Sequence, residues 1–336
     1  TTRGNPSITN AGKSYHIGQG ATRMSRALVF PGQGSQRVGM GKEIYDAFVS
    51  ARPVFEEVDD TLGQNLSRTM FEGPESELTL TENAQPALMT VSIAIVRVIE
   101  TEGSLALSDI ATFVAGHSLG EYSALAAAGA ISLPDTAQLL KRRGEAMQMA
   151  VPVGEGQMTA ILGLSLNEVI EIAKTAGTEG ICEIANDNAP GQVVLSGHSA
   201  AIERAMILAK EKGARGALPL EVSAPFHCAL LQPAAETMAE VLESITIAAP
   251  RPPLIANVIA ESVNEPHQIR KLLVDQVTNR VRWRETVLWM KTNGVDNLLE
   301  LGTGKVLTNL ARRIDRTVAG HSIETPNDID RFLNSI

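Results

Sequence analysis

Cysteine is nearly absent from this 336-residue chain, which has only Cys182 and Cys228. That excludes a disulfide scaffold, and the six scattered histidines supply no spacing suited to zinc. Both cysteines read as small buried residues. Basic charge is also scarce: 29 Lys and Arg face 38 Asp and Glu, a net charge of −9. Broad nucleic-acid binding, which needs a basic surface, is thereby disfavoured. No uninterrupted apolar run approaches the length needed to span a bilayer, and 44% hydrophobic with 20% charged residues is ordinary for a soluble globular protein. Dinucleotide-binding motifs are missing from any suitable context, so no redox cofactor or metal is expected. Residues 1–23 lack acidic side chains and any apolar stretch resembling a secretion signal. They are expected to be a leader or extension, with Met24 as the natural start, and the setting is expected to be cytoplasmic.

What the chain does contain is an alternation of short apolar runs with helical patterns. Residues 27–30 read as a buried strand that runs into a Gly-rich loop, Pro31-Gly32-Gln33-Gly34-Ser35-Gln36. Helices are predicted over residues 42–62, 86–102 and 133–150, with a strand at 110–115 between them. Strands alternating with helices imply a parallel sheet.

From residue 156 the order becomes strand (158–164), helix (166–176), strand (181–185), strand (192–196), helix (200–212), strand (217–222). That order is the ferredoxin-like one. The expected fold is therefore α/β: an α/β-hydrolase-like parallel-sheet body over residues 24–155 and 223–336, with an inserted ferredoxin-like subdomain over 156–222. Helices at 233–243, 267–278 and 284–293 and a strand at 297–301 return to the body.

Between the strand at 110–115 and an alanine-rich helix lies Gly116-His117-Ser118-Leu119-Gly120, a G-x-S-x-G sequence. A serine on a sharp strand-to-helix turn is exposed as a nucleophile, and glycines flank it where a Cβ would clash. The helix N-terminus beneath presents free N–H groups to a developing oxyanion. The competing reading is a Gly-rich turn whose serine caps the helix. A serine nucleophile needs a base. His16 lies in the leader, His117 diverges from its neighbour on a tight turn, and His198, His267 and His321 lie in polar loops. His227 ends Ser223-Ala224-Pro225-Phe226-His227, where the inserted lobe rejoins the body, a usual location for a site. By position it is either the base or a buried structural histidine.

Five segments in order are familiar: Phe30-Pro-Gly-Gln-Gly-Ser-Gln36, Gly116-His-Ser-Leu-Gly-Glu-Tyr-Ser-Ala124, Pro190-Gly-Gln-Val-Val194, Pro225-Phe-His227 and Gly302-Thr-Gly-Lys-Val-Leu307. Together they closely resemble the malonyl-CoA:acyl carrier protein transacylases over residues 26–310. The resemblance implies ping-pong acyl transfer through a malonyl-serine, with Ser118 as nucleophile and His227 as base. It also implies an oxyanion hole from the backbone N–H groups of Gln33 and Leu119. Arg143 matches the family arginine that clamps the free malonyl carboxylate, for which a planar guanidinium fork is well suited. Gln276 matches the residue whose main-chain carbonyl orients the histidine. Asp187, which lies between Ser118 and His227 in the chain, is a competing acid partner. Asn188 falls in a segment that lines the family's substrate pocket. Phe226 before the histidine suggests malonyl over methylmalonyl.

The implied substrates are malonyl-CoA and a phosphopantetheinylated acyl carrier protein, without a metal or redox cofactor. Carrier proteins are acidic, so Arg280, Arg282 and Arg284, projecting to one side of an extended segment, form a candidate docking patch, with Lys305, Arg312 and Arg313 as further members. A solvated edge paired with Glu285 is the equal alternative. The protein is expected to act as a monomer, away from membranes and nucleic acid. Alternatives to fatty-acid synthesis are a trans-acting polyketide acyltransferase and a serine hydrolase or thioesterase of the same fold group.

Overall fold

In the computed structural model, residues 25–336 are described; the leader at 1–23, Met24 and His16 lie outside them. The alternating pattern builds a six-stranded sheet in the order β10-β9-β1-β2-β7-β8. Its strands are β1 (Ser25–Phe30), β2 (Phe113–Gly116), β7 (Leu254–Ile255), β8 (Ser262–Val263), β9 (Val295–Leu301) and β10 (Ala319–Ile323). All neighbours are parallel except β8, which runs antiparallel to β7. Side chains alternate across the central strand: Leu28 and Phe30 enter one core, Ala27 and Val29 the other. Both faces are covered, as a parallel sheet requires.

Helix Thr81–Gly103 fills the larger core and is buried nearly all round. By length and composition it is apolar enough to cross a membrane, yet 83% of its most apolar window is covered by protein, which makes it a core helix. Pro86 lies inside it, whereas the sequence pattern starts the helix there. Packing overrides the proline: a Cβ on Gly144 would stand 2.5 Å from Glu82 Cα, so helix Leu133–Met149 presses directly on the extra turn. The predicted helix over 42–62 is broken at Phe48 into Lys42–Ala47, a short turn and Arg52–Leu62. Pro53, without an N–H and with a ring that excludes the preceding turn, accounts for the break.

The second sheet is antiparallel, in the order β4-β5-β3-β6, from β3 (Gly156–Leu162), β4 (Cys182–Ala189), β5 (Gln192–His198) and β6 (Gly216–Pro219). Helices Leu166–Ala176 and Ser199–Glu211 bury one face of it around Ile161, Val169, Ile172, Leu195 and Ile202. It is fastened to the body where Asn186 bridges Val281, through Asp187 N–H to Val281 O at 3.0 Å and Val281 N–H to Ala185 O at 2.8 Å.

That junction corrects the arginine patch. The extended backbone ends at Val281, Trp283 begins helix Trp283–Thr292, and both side chains are fully buried. Arg284 therefore turns inward and chelates Asp187, whose carboxylate is 1% exposed, at 2.8–3.1 Å. Arg280 and Arg282 share Glu285. Asp187, so engaged, is not the partner of the histidine.

Removing one member of a buried ion pair leaves the other charge without compensation. Arg284→Ala is expected to lower unfolding free energy in urea by about 3 kcal/mol, and Asp187→Asn in the same chain to recover part of it. A loss below about 1 kcal/mol would contradict this account of the junction.

Candidate active site

The nucleophile elbow is forced by close backbone approach. A Cβ on Gly116 would lie 1.9 Å from Gly120 O, and one on Gly120 would lie 2.2 Å from Phe30 O. Ser118 between them has φ 54°, a left-handed conformation that side-chain-bearing residues rarely adopt. His227 has φ 59°. Strain of this kind persists only where the surroundings over-determine it. At Ser118 they do: its N–H donates to Asn257 Oδ1 at 2.8 Å, and its carbonyl accepts from Gln276 Nε2 at 3.0 Å.

The two strained residues meet. Ser118 Oγ lies 2.8 Å from His227 Nε2, while His227 Nδ1–H donates to the Gln276 main-chain carbonyl at 2.9 Å. A carbonyl only accepts, so Nδ1 carries the proton and Nε2 is free to take one from serine. Burial, and then the Arg143 charge, push the His227 pKa down to about 3. The imidazole is therefore neutral at physiological pH.

Arg143 is 1% exposed. Its Nη2 donates to Ser118 Oγ at 3.1 Å and Gln276 Oε1 at 2.8 Å, and its Nη1 to Gln85 Oε1 at 2.7 Å. Among the described residues its acceptors are amide and hydroxyl oxygens rather than carboxylates, and its buried Nε has no partner. A buried cation with no carboxylate among its hydrogen-bond partners, one hydrogen bond from the nucleophile, is a receptor for an anion.

The first N–H groups after the elbow are taken locally: Gly120 N–H by His117 O, Glu121 N–H by Ser118 O and Tyr122 N–H by Leu119 O. Leu119 N–H has no acceptor among the described residues, nor has that of Gln33. Gln33 is brought alongside by Gly32, where a Cβ would meet His117 O at 2.7 Å. Gln33, Ser118, Leu119, Arg143, Phe226 and His227 all line one cavity of about 540 Å³. Two sequence-derived candidates are not in this lining: Gln276, which holds His227 from behind, and Asn188. Asn188 Oδ1 accepts from His117 Nε2 at 2.8 Å, and Asn186 forms the cavity wall instead.

Three participants escaped sequence reasoning. Asn257 ties Ser118 N–H to Gly116 O through Nδ2 at 2.6 Å. Glu121, 1% exposed, accepts from Asn257 N–H at 3.0 Å and Gln276 Nε2 at 2.8 Å. Burial pushes its carboxyl up to about 7, against the pull of those donors and Arg143. Gln85 is the third. Asn257 shows as a lone polar side chain in an apolar stretch and Glu121 lies within the Gly116–Ala124 segment, while Gln85 follows other polar residues and has no signal of its own.

The chain matches the family described as acyl transferase domain over residues 27–323. It is similar to the malonyl CoA-acyl carrier protein transacylase of Bacillus subtilis, 43% identical over 92% of this chain and 96% of that one. The crystal structure of acyl-carrier-protein-S-malonyltransferase from Bartonella henselae superposes with a TM-score of 0.91 at 54% identity, over 93% of this chain and 99% of that one. A malonyl-transacylase solved in complex with a type II PKS acyl-carrier protein gives 0.90 at 42%, over 93% and 100%.

Gly120→Ala tests the elbow. Its methyl would have to displace the Phe30 carbonyl, and a misplacement near 1 Å costs about 10²-fold in rate. Acylation of Ser118, followed by intact mass, is expected to slow by about that factor with the circular dichroism spectrum retained. An undiminished rate would contradict the packing argument.

Proposed function

Because the chain belongs to the acyl transferase domain family, among the malonyl CoA-acyl carrier protein transacylases, we propose that it carries malonyl from malonyl-CoA to the phosphopantetheine thiol of an acyl carrier protein in fatty-acid synthesis. The acyl group travels as an ester of Ser118. As Oγ bonds to the thioester carbon, its proton passes to His227 Nε2. The oxyanion is held by the N–H groups of Gln33 and Leu119. The C–S bond then breaks, and coenzyme A leaves as the thiol with the proton from His227. The carrier thiol reverses these steps: it gives its proton to His227, attacks the ester carbonyl and frees the Ser118 hydroxyl. The reading calls for no metal or redox cofactor. Two free, buried cysteines fit a cytoplasmic setting.

The observation that supports malonyl most strongly is Arg143. An esterase for neutral acyl groups has no use for a buried guanidinium 3.1 Å from its nucleophile. The carboxylate of malonyl supplies the direct anionic partner that Arg143 lacks. Phe226 lines the same cavity, where its ring takes volume that an α-methyl group would need. For the carrier protein, with Arg284 held by Asp187, the docking surface is assigned to Lys305 and Arg312 in place of a three-arginine row. These line a groove of about 750 Å³ with Arg26 and Arg331. Gly304, beside Lys305, lies next to Ser35 of the loop that carries Gln33, which supports a docking surface on the side of the site's mouth. An acidic partner is complementary to it.

Incubation with malonyl-CoA is expected to add one malonyl group by intact mass, absent in Ser118→Ala and discharged by carrier protein. No adduct would overturn the covalent reading. Reversing Lys305 and Arg312 to Glu is expected to raise KM for carrier protein about tenfold, less at high salt, with acylation by malonyl-CoA unchanged. An unaltered KM would move the docking surface elsewhere.

A further inference from the structure

We infer that Glu121 is a positioning residue for the acyl-binding arginine, acting through the orientation of the Gln276 side-chain amide. The inference rests on the malonyl-transfer reading. Glu121 Oε2 receives two donors, Asn257 N–H at 3.0 Å and Gln276 Nε2 at 2.8 Å. The same Nε2 donates to the Ser118 carbonyl at 3.0 Å, so two acceptors, that carbonyl and the Glu121 carboxyl oxygen, hold the NH₂ end of the Gln276 amide on this side. That leaves Oε1 on the opposite side, where it accepts from Arg143 Nη2 at 2.8 Å. With the amide reversed, two donors would face each other at that distance, and the guanidinium would be driven from Gln276. The same Nη2 also contacts Ser118 Oγ at 3.1 Å, so the amide's direction sets where the cation points relative to the acyl ester.

The carboxylate does not touch the reacting atoms, and it is itself almost fully buried. Among the groups coupled to it, Arg143 is the cation, reached through Gln276, and the Asn257 and Gln276 amides are its direct partners. A carboxylate placed as a direct partner of Arg143 would compete with the malonyl group. One residue further back, it directs the arginine and leaves the guanidinium open. A burial that costs this much, for a group outside the reaction, is consistent with a positioning task.

Glu121→Gln keeps the shape but offers Gln276 Nε2 either a donor or an acceptor, so the Ser118 carbonyl alone is left to hold that end of the amide. Acylation kinetics with malonyl-CoA and with acetyl-CoA, each read by quenched intact mass, give the test. The ratio of kcat/KM for malonyl over acetyl is expected to fall about tenfold, chiefly through KM for malonyl-CoA, because a charge-assisted contact is misaligned. In an Arg143→Ala background the same substitution is expected to change the ratio no further. A purely structural Glu121 would slow both substrates alike and in both backgrounds, which would overturn the inference. Should Glu121→Gln not fold, Gln276→Met, which keeps the main-chain carbonyl on His227, is expected to lower the same ratio; an unchanged ratio would overturn it equally. A wild-type protein that forms no malonyl adduct sinks the transfer reading, whereas a malonylated wild type with full selectivity in Glu121→Gln sinks only the role of Glu121.

Discussion

The whole site depends on the hydrogen bonds of one residue, Gln276. Its main-chain carbonyl fixes the His227 tautomer, and its side chain ties the Ser118 carbonyl, Arg143 and Glu121 together. Both catalytic residues have backbones in a conformation that costs on the order of 1–3 kcal/mol each. Without a shared strut, each would relax separately. Helix Pro266–Thr278 supplies that strut from a part of the chain far in sequence from the elbow, and Asn257, after β7, braces the elbow from a third segment. The nucleophile is thus positioned by the closed body of the fold rather than by its own turn.

The choice of a carbonyl over a carboxylate as histidine partner follows from the neighbouring cation. An acid beside His227 would stand close to Arg143 and neutralise it, leaving little for an anionic acyl group. A neutral partner avoids that competition. It supports imidazolium less than a carboxylate would, and burial and Arg143 disfavour the charged form further, so the resting imidazole stays unprotonated. The same two features favour a substrate that brings its own negative charge. Selectivity and base strength here have one electrostatic origin.

Much of this was legible in the sequence, because the elements concerned are local. The elbow has its glycines, strand and helix within residues 113–127, and the ferredoxin-like order of strands and helices reads directly from periodicity. What escaped was set by contacts between distant segments. Asn257 looks like an isolated polar residue, and Glu121 one more member of the elbow segment, until β7 is laid beside β2. Pro86 reads as a helix start until Gly144 is seen pressing on the turn before it. Arg284 reads as a surface charge until Trp283 is seen to begin a helix that turns it onto Asp187. In each case the local signal was real, and tertiary packing reassigned it.

The central claim is that a neutral, carbonyl-held imidazole is the resting base. ¹⁵N NMR of the histidine-labelled protein between pH 5 and 8, with His227→Gln to assign the signal, tests it most directly. The account predicts that His227 remains one neutral tautomer, protonated at Nδ1 and free at Nε2, throughout that range. Titration of that signal near the ordinary histidine value of about 6.5, or a proton resident on Nε2, would contradict it.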